Sequence, residues 1–250
     1  MSDASDAFPA FSLRHLARTA STQDVVRRAA AGGAEEGFCC VADEQTSGRG
    51  RQGRTWSAPP GQALLVSLLV RRRRGVVAGI PFAAGVAVTD ALAAFALEAQ
   101  LKWPNDVVVG SRKLAGILCE VEPAASDRDR AAVAVGIGVN LSVASFPPGV
   151  NGISAHELGA AIGPAALLDA WVSAFAPRLA TLEREGIRGL RDDWHSRAAG
   201  LHHTVRAVGP GGTIVGVAEG VDDDGALLIR GDSGTARVLA ADVHIIAEET

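Results

Sequence analysis

Nine consecutive residues, Gly48-Arg49-Gly50-Arg51-Gln52-Gly53-Arg54-Thr55-Trp56, place three arginines among three glycines. Glycines let backbone amides close on a bound group, and guanidinium forks match carboxylate and phosphate oxygens. Three cations on so short a loop repel one another unless anionic charge sits among them. The loop reads as an anion-binding element, with a solvated basic loop as the plainer alternative. Two familiar motifs overlap it and fail. Gly48, Gly50 and Gly53 match the G-x-G-x-x-G spacing of dinucleotide sites, and Gly48, Gly53 and Thr55 nearly match a P-loop. Both motifs need a helix to begin here and aim its amides at phosphate. The residues that follow, Trp56-Ser57-Ala58-Pro59-Pro60-Gly61, start no helix, and Arg54 stands where a P-loop has lysine.

Positive charge elsewhere is almost all arginine, with 22 Arg against two Lys, Lys102 and Lys113. Lysine is a compact, mobile point charge where arginine is a planar fork. Lys102-Trp103-Pro104-Asn105-Asp106 precedes a strand-like run. Pro104 stiffens the backbone, and Asn105 and Asp106 are turn formers, so the segment makes a tight turn. That turn displays an amide and a carboxylate beside a cation. Asp106 is suited to bind magnesium or orient an amine, and Asn105 to hold phosphate or metal-bound water. Lys113 begins the apolar run Leu114-Ala115-Gly116-Ile117-Leu118. A charge there is costly unless paired, and a substrate anion is the expected partner. Gly136-Ile137-Gly138-Val139-Asn140 ends another buried strand. Glycines in a strand mark either close ligand approach or a packed strand crossing, and Asn140 projects from the end. The four arginines at 71–74 lack glycine and aromatic company and read as a solvated strand end.

These segments need elements to position them. Ser21 with Asp24 resembles a capping box opening a helix to about Ala31, which Gly32-Gly33 ends. Strands are expected over 38–42, 63–70, 107–109, 114–121 and 131–139, with a Gly110-Ser111 hairpin turn. Helices are expected over 80–99 and over 167–185, the latter bent at Pro177. Past Gly200, three closely spaced turn signals separate short β-rich runs and suggest a small barrel. The division expected is a flexible tail at 1–12, a first domain at 13–198 and a second at 199–250.

Composition narrows the classes. The 250 residues are 48% hydrophobic and carry a net charge of −4, which suits a globular protein and not one that wraps nucleic acid. There is no Tyr, so stacking platforms for bases are scarce. Three cysteines without a CxxC argue against a disulfide framework or structural zinc and for buried thiols in a reducing cytosol. The first ten residues lack the pattern of a signal peptide. The most apolar stretch, 76–97, is interrupted by Pro81, Gly85, Thr89 and Asp90 and reads as a core helix, not a membrane span.

Together, Ser21-Thr22 with its helix and the segments 45–56, 102–106, 113–120 and 136–140 resemble the biotin protein ligases, in order and spacing, over residues 13–247. Gly216-Val217-Ala218 and Asp224-Gly225-Ala226-Leu227 are similar to that family's C-terminal barrel. The resemblance implies an α+β fold: a mixed β-sheet with helices packed on one side, as in class II aminoacyl-tRNA synthetases, followed by a small SH3-like β-barrel. It implies ATP-dependent activation of biotin to biotinyl-AMP, with magnesium. Biotin then passes to a lysine of a biotin carboxyl carrier protein or domain. By family position Ser21, Thr22, Gln23, Gln45, Arg49, Gly50, Arg51, Lys113 and Gly116 would line the biotin side. Arg49, Arg51, Arg54, Trp56, Lys102, Asn105 and Asn140 would face the nucleotide, with Trp56 offering a ring to adenine. Lys113, Arg51 and Asp106 would carry the chemistry, with the metal near Asp106. The family often has Asn where this chain has Gln23.

Some members carry an N-terminal DNA-binding module. Ser21 already belongs to the catalytic pattern, so a monofunctional, cytoplasmic ligase is expected, a monomer or weak homodimer that binds neither DNA nor membrane. The rivals are a lipoate or octanoate ligase of the same fold and a biotin-sensing protein that transfers nothing. The Gly/Arg loop with Lys-Trp-Pro-Asn-Asp favours the biotin branch.

Overall fold

The computed structural model describes Phe8 and residues 11–246. Two long apolar runs set its centre. β3 (Ala63–Arg73) and β7 (Arg130–Asn140) are buried along most of their lengths, as strands covered on both faces must be. They pair antiparallel from Ala63↔Asn140 to Arg73↔Arg130. β1 (Ser12–Thr19) and β2 (Phe38–Gln45) extend the sheet on one side. β4 (Gln100–Lys102), β5 (Asp106–Val109) and β6 (Arg112–Glu122) extend it on the other, in the order β1-β2-β3-β7-β6-β5-β4. β1 and β2 run parallel and the other neighbours antiparallel, so the sheet is mixed.

Alternation along β3 and β7 sends Leu64, Val66, Leu68, Val133, Val135 and Ile137 into the main core, with α2 (Ile80–Ala93) and α3 (Pro164–Glu185). The opposite set, Leu69, Ala132 and Ala134, packs with Cys40 under Val25, Val26 and Ala30 of α1 (Thr22–Ala31). Helices therefore lie on both faces, not on one as expected, because both faces of β3 and β7 are apolar and each needs cover. α2 is buried all round, the mark of a helix enclosed by core. Residues Arg74–Ala93 have the length and composition of a membrane span, yet most of that stretch is buried inside the fold.

Several expectations are corrected. The helix expected over 80–99 ends at Ala93, and Ala96 at φ +58° turns the chain toward β4. β1 was not foreseen, because it is largely exposed and carries no apolar run. The tail expected at 1–12 lies mostly outside the described residues; Phe8 is buried in the core and Ser12 begins β1. The solvated end expected at 71–74 holds in part: Arg73 and Arg74 are exposed, Arg71 and Arg72 are half-buried, and the run is tied down. Arg71 donates to Ala125 O and Ala34 O at 2.6 and 2.9 Å, Arg72 pairs with Glu36, and Arg73 pairs with Glu183 at 3.0 Å. They fasten the end of β3 to flanking loops and to α3. Burial pushes the Cys40 thiol up to about 11 and the Cys119 thiol up to about 12, so both stay protonated at neutral pH.

α4 (Arg191–His195) leads into a second sheet of β8 (Thr204–Gly209), β9 (Gly212–Val221), β10 (Leu227–Gly231), β11 (Gly234–Val238) and β12 (Asp242–Ile245). It is antiparallel throughout, in the order β11-β10-β9-β8-β12. Trp103 Nε1 donates to Gly225 O at 3.1 Å, and Val221 N donates to His195 Nε2 at 3.2 Å. These bonds seat the small sheet against the large one.

Candidate active site

Strand alternation places Ser67, Gly136 and Gly138 on the same sheet face as α1. The register sets Gly116 of β6 directly opposite Gly138 of β7, which leaves a patch bare of side chains. Trp56 lies on that patch. A Cβ at Gly138 would stand 2.4 Å from Trp56 Cε2, and one at Gly116 would stand 3.0 Å from Cζ3. The paired glycines therefore make room for an indole, and Trp56 becomes a wall beside the sheet.

The start of α1 closes one end of this slot. The Thr22 amide and hydroxyl donate to Gln45 Oε1 at 2.8 and 3.0 Å, and the same hydroxyl is 2.8 Å from Ser67 Oγ. Gln23 Nε2 donates to Leu118 O and Ala134 O at 3.0 and 3.1 Å, clamping β6 to β7. Gln23 Oε1 and Trp56 Nε1 are left buried without a partner among the described residues, one acceptor and one donor. Such groups are rare and costly, and a ligand is one way to satisfy them. The capping box expected at Ser21 is absent: Ser21 makes no cap bond, and Asp24 turns instead to Arg49.

The other end is cationic. Lys113 Nζ lies 2.6 Å from Asp106 Oδ1 and 5.4 Å from the Trp56 ring centre. The charge expected to wait for a substrate anion thus has a resident partner, because β5–β6 pairing brings Asp106 opposite Gly116. Lys102 stands opposite Asp106 in the β4–β5 ladder. Asn105 Nδ2 donates to Ile117 O at 2.8 Å, and its Oδ1 accepts from Arg51 Nη1 at 3.2 Å. Burial lowers the Arg51 pKa from its ordinary value, with Asp242 and Asp106 opposing. Asn140 Nδ2 bonds Lys113 O and Ile153 O at 3.3 and 3.2 Å, tying the strand end to the following loop. Two of the three loop arginines are paired, Arg49 with Asp24 and Glu120, and Arg54 with Asp242.

Ser21, Thr22, Gln23, Gln45, Arg49, Gly50, Arg51, Arg54, Trp56, Lys102, Asn105, Asp106, Lys113, Gly116 and Asn140 all line one cavity of about 630 Å³. Sequence reasoning missed Ser67, Phe146, Asn151 and the β12 residues Asp242, Val243 and His244, which line it as well. Ser67 had a signal, a lone hydroxyl inside the run Ala63-Leu64-Leu65-Val66-Ser67-Leu68-Leu69-Val70. The β12 residues had none, since only tertiary packing brings them there.

Among the described residues no three His, Cys, Asp or Glu side chains gather as a metal cage. Magnesium is commonly held by one or two carboxylates plus substrate phosphates and water. Asp106 supplies one such carboxylate, so the residues fit a magnesium ion that is carried mainly by a bound polyphosphate.

Comparison with known proteins bears on the family. Residues 16–140 match the biotin/lipoate A/B protein ligase family, and residues 203–245 match the biotin protein ligase C-terminal domain. The chain is 38% identical to a biotin–[acetyl-CoA-carboxylase] ligase of Paracoccus denitrificans, over 91% of this chain and 98% of that one. It is 32% identical to a bifunctional ligase/repressor of Bacillus subtilis, over 90% of this chain and 71% of that one. The biotin protein ligase of Aquifex aeolicus, solved with biotin and ATP, superposes with a TM-score of 0.82 at 25% identity, covering 94% of this chain and 99% of that one. On these matches, the chain belongs to the biotin/lipoate A/B protein ligase family.

Proposed function

We propose that this protein joins biotin to ATP, giving biotinyl-AMP and pyrophosphate, and then passes biotin to a lysine of a carboxyl carrier domain. The observation that carries the reading is the division of one cavity into two halves. A narrow slot over paired glycines holds unmatched polar atoms at Gln23 and Trp56, and it opens onto Lys113, Lys102 and Arg51. A ureido head carries both N–H donors and a carbonyl acceptor, which suits the slot. A valeryl carboxylate reaching out of it would meet the cations.

In the first step a carboxylate oxygen attacks the α-phosphorus and the bond to the β-phosphate bridging oxygen breaks, releasing pyrophosphate. Two anions must approach each other, and Lys113 and Arg51 lower that repulsion from a partly buried position. Asn105 orients the Arg51 fork. Magnesium would neutralise phosphate charge, with Asp106 as its contact on this chain. In the second step the carrier amine attacks the carboxyl carbon, AMP leaves, and Asp106 orients the amine and takes its proton. Positioning and charge suffice, and no covalent enzyme intermediate is required. Trp56, expected beside adenine, is assigned here to the wall of the biotin slot, because its ring rests on Gly116 and Gly138.

The test is pyrophosphate exchange into ATP with biotin or lipoate as the acid, followed by addition of an apo carrier domain. Exchange with biotin and label on the carrier lysine supports the reading. Exchange without transfer points to a sensor, and activity with lipoate alone to the other branch of the family.

A further inference from the structure

The two lysines of the chain both line the cavity, and they are held differently. Lys113 is paired with Asp106, whereas Lys102 makes no ion pair among the described residues. Lysine is a point charge on a flexible stem, so its backbone decides where it can reach. Lys102 ends β4, a strand of three residues at the edge of the large sheet, with β5 on one side only. The other side is supplied by the connector into the second sheet. Leu101 N donates to Arg197 O at 2.8 Å, and Ala199 N donates to Leu101 O at 2.7 Å. Arg197 is itself fixed, its Nη2 donating to Asp90 Oδ1 of α2 at 2.8 Å and its Nη1 to Asp193 O at 2.7 Å. Arg178 of α3 holds the second Asp90 oxygen at 2.7 Å.

The residue after Lys102 is held from the same quarter. Trp103 is buried, and its Nε1 donates to Gly225 O at 3.1 Å. The turn that presents this carbonyl is braced. Asp222 Oδ1 accepts from Asp224 N and Ala226 N at 2.9 and 3.0 Å, and Arg237 holds Asp222 and Asp224 at 2.5 and 2.7 Å. It is also fitted closely to the first domain: a Cβ on Gly225 would stand 2.8 Å from Phe82 Cε2 and 3.2 Å from Ile187 Cδ1. Both chain neighbours of Lys102 are thus bonded to the second sheet or its connector. The slot over Gly116 and Gly138 is built from other elements, β6, β7 and the start of α1.

We propose that the Asp222–Ala226 turn, through Gly225 O and Trp103, and the connector, through Leu101, clasp the chain on either side of Lys102, and that Trp103 and Asp222 are positioning residues for the nucleotide half of the cavity. The nucleotide as the group that Lys102 meets rests on the ligase reading; the clasp does not.

The test uses the full chain and three variants. Trp103→Phe keeps a buried ring and removes the donor, Asp222→Ala removes the oxygen that shapes the turn, and Asp222→Asn keeps that oxygen. In pyrophosphate exchange, KM for ATP should rise about 3- to 10-fold in Trp103→Phe and Asp222→Ala, the range for one lost hydrogen bond. Asp222→Asn should stay near the parent. Biotin affinity by calorimetry should change less than about 2-fold in all three, as for a site that does not share their contacts. Trp103→Phe with Asp222→Ala should be no worse than either alone, because both break one connection. A parent-like KM for ATP in Trp103→Phe, an equal loss of biotin affinity, or additive losses in the double variant overturns the proposal. A melting curve checks folding, and Trp103→Phe alone carries the test if Asp222→Ala is unfolded. Amide hydrogen exchange over residues 101–109 without ligands reads the clasp apart from the reaction. Faster exchange in Trp103→Phe upholds the clasp and unchanged exchange overturns it, even in a chain that forms no adenylate, a result that would sink the ligase reading alone.

Discussion

Lys113 Nζ and Asp106 Oδ1 stand 2.6 Å apart across the β5–β6 hairpin, with the Trp56 ring 5.4 Å from the same ammonium. The pair sets a lysine at the mouth of the slot and gives it two uses, partner to a carboxylate at rest and to substrate oxygens in the reaction. Lys113→Ala should lower adenylate formation about 100- to 1000-fold, the usual loss when one such charge-stabilising donor is removed. Asp106→Asn should slow carrier labelling more than adenylate formation. Single-turnover assays with isolated biotinyl-AMP separate the two steps, and normal adenylate yield from Lys113→Ala would remove that residue from the mechanism.

Arg51 reaches the cavity from the loop and bonds Asn105 at 3.2 Å. Losing a hydrogen bond to a charged group costs about 1.5–3 kcal/mol. Loaded with isolated biotinyl-AMP, Arg51→Ala should therefore release it about 10- to 100-fold faster, read as diffusible adenylate trapped by free amines. Retention equal to the parent's would show that Arg51 does not hold the product.

Gly138 is a steric requirement. A Cβ there would stand 2.4 Å from the Trp56 ring, closer than real contacts allow. Gly138→Ala must push the indole off the sheet and disturb the slot, and biotin affinity should fall by at least about 10-fold, a loss of about 1.4 kcal/mol. Calorimetric titration with biotin measures it. Gly138→Ala paired with Trp56→Phe should recover part of the loss, since the smaller ring relieves the clash.

His195 accepts from Val221 N at the seam between the two sheets. Its pKa is lowered from the ordinary 6.5, first by burial and then by the Arg191 charge, with Asp192 opposing and His202 adding. The unfolded chain takes up this proton more readily than the folded one, so stability rises with pH across the interval between the two pKa values. The contribution is complete above about pH 6.5 and is lost as pH falls from there toward the folded pKa. Denaturant midpoints between pH 7.5 and 5 should decline, and His195→Gln, which keeps an acceptor, should flatten the part due to this group. An unchanged slope would show that the seam does not sense this proton.

Much of the site was legible because its residues are local in sequence and chemically unusual. A Gly/Arg loop, a turn with lysine, asparagine and aspartate, and glycines within apolar strands each violate the plain composition of the element they interrupt. Such violations mark functional positions, since packing alone would not choose them. Ser67 belongs to the same class and was overlooked inside an otherwise apolar strand. β1 escaped because an exposed edge strand needs no apolar run. The ties of the arginines at 71–74 were not legible, because the partners Glu36, Ala125 O and Glu183 are distant in the chain.

Local sequence settles which face of each strand a residue takes, because alternation is a property of the backbone. From this followed the glycines on one face, the buried β3 and β7, and the charges at the strand ends. Tertiary structure decided the pairings. The β6–β7 register set Gly116 beside Gly138 and made a bed for Trp56. The β5–β6 hairpin gave Lys113 its partner in Asp106, and sheet packing brought Asp242 to Arg54 across 188 residues of chain. Registers and ion pairs are properties of two segments at once. No single stretch of sequence contains them, and the core that aligns the segments chooses among the alternatives.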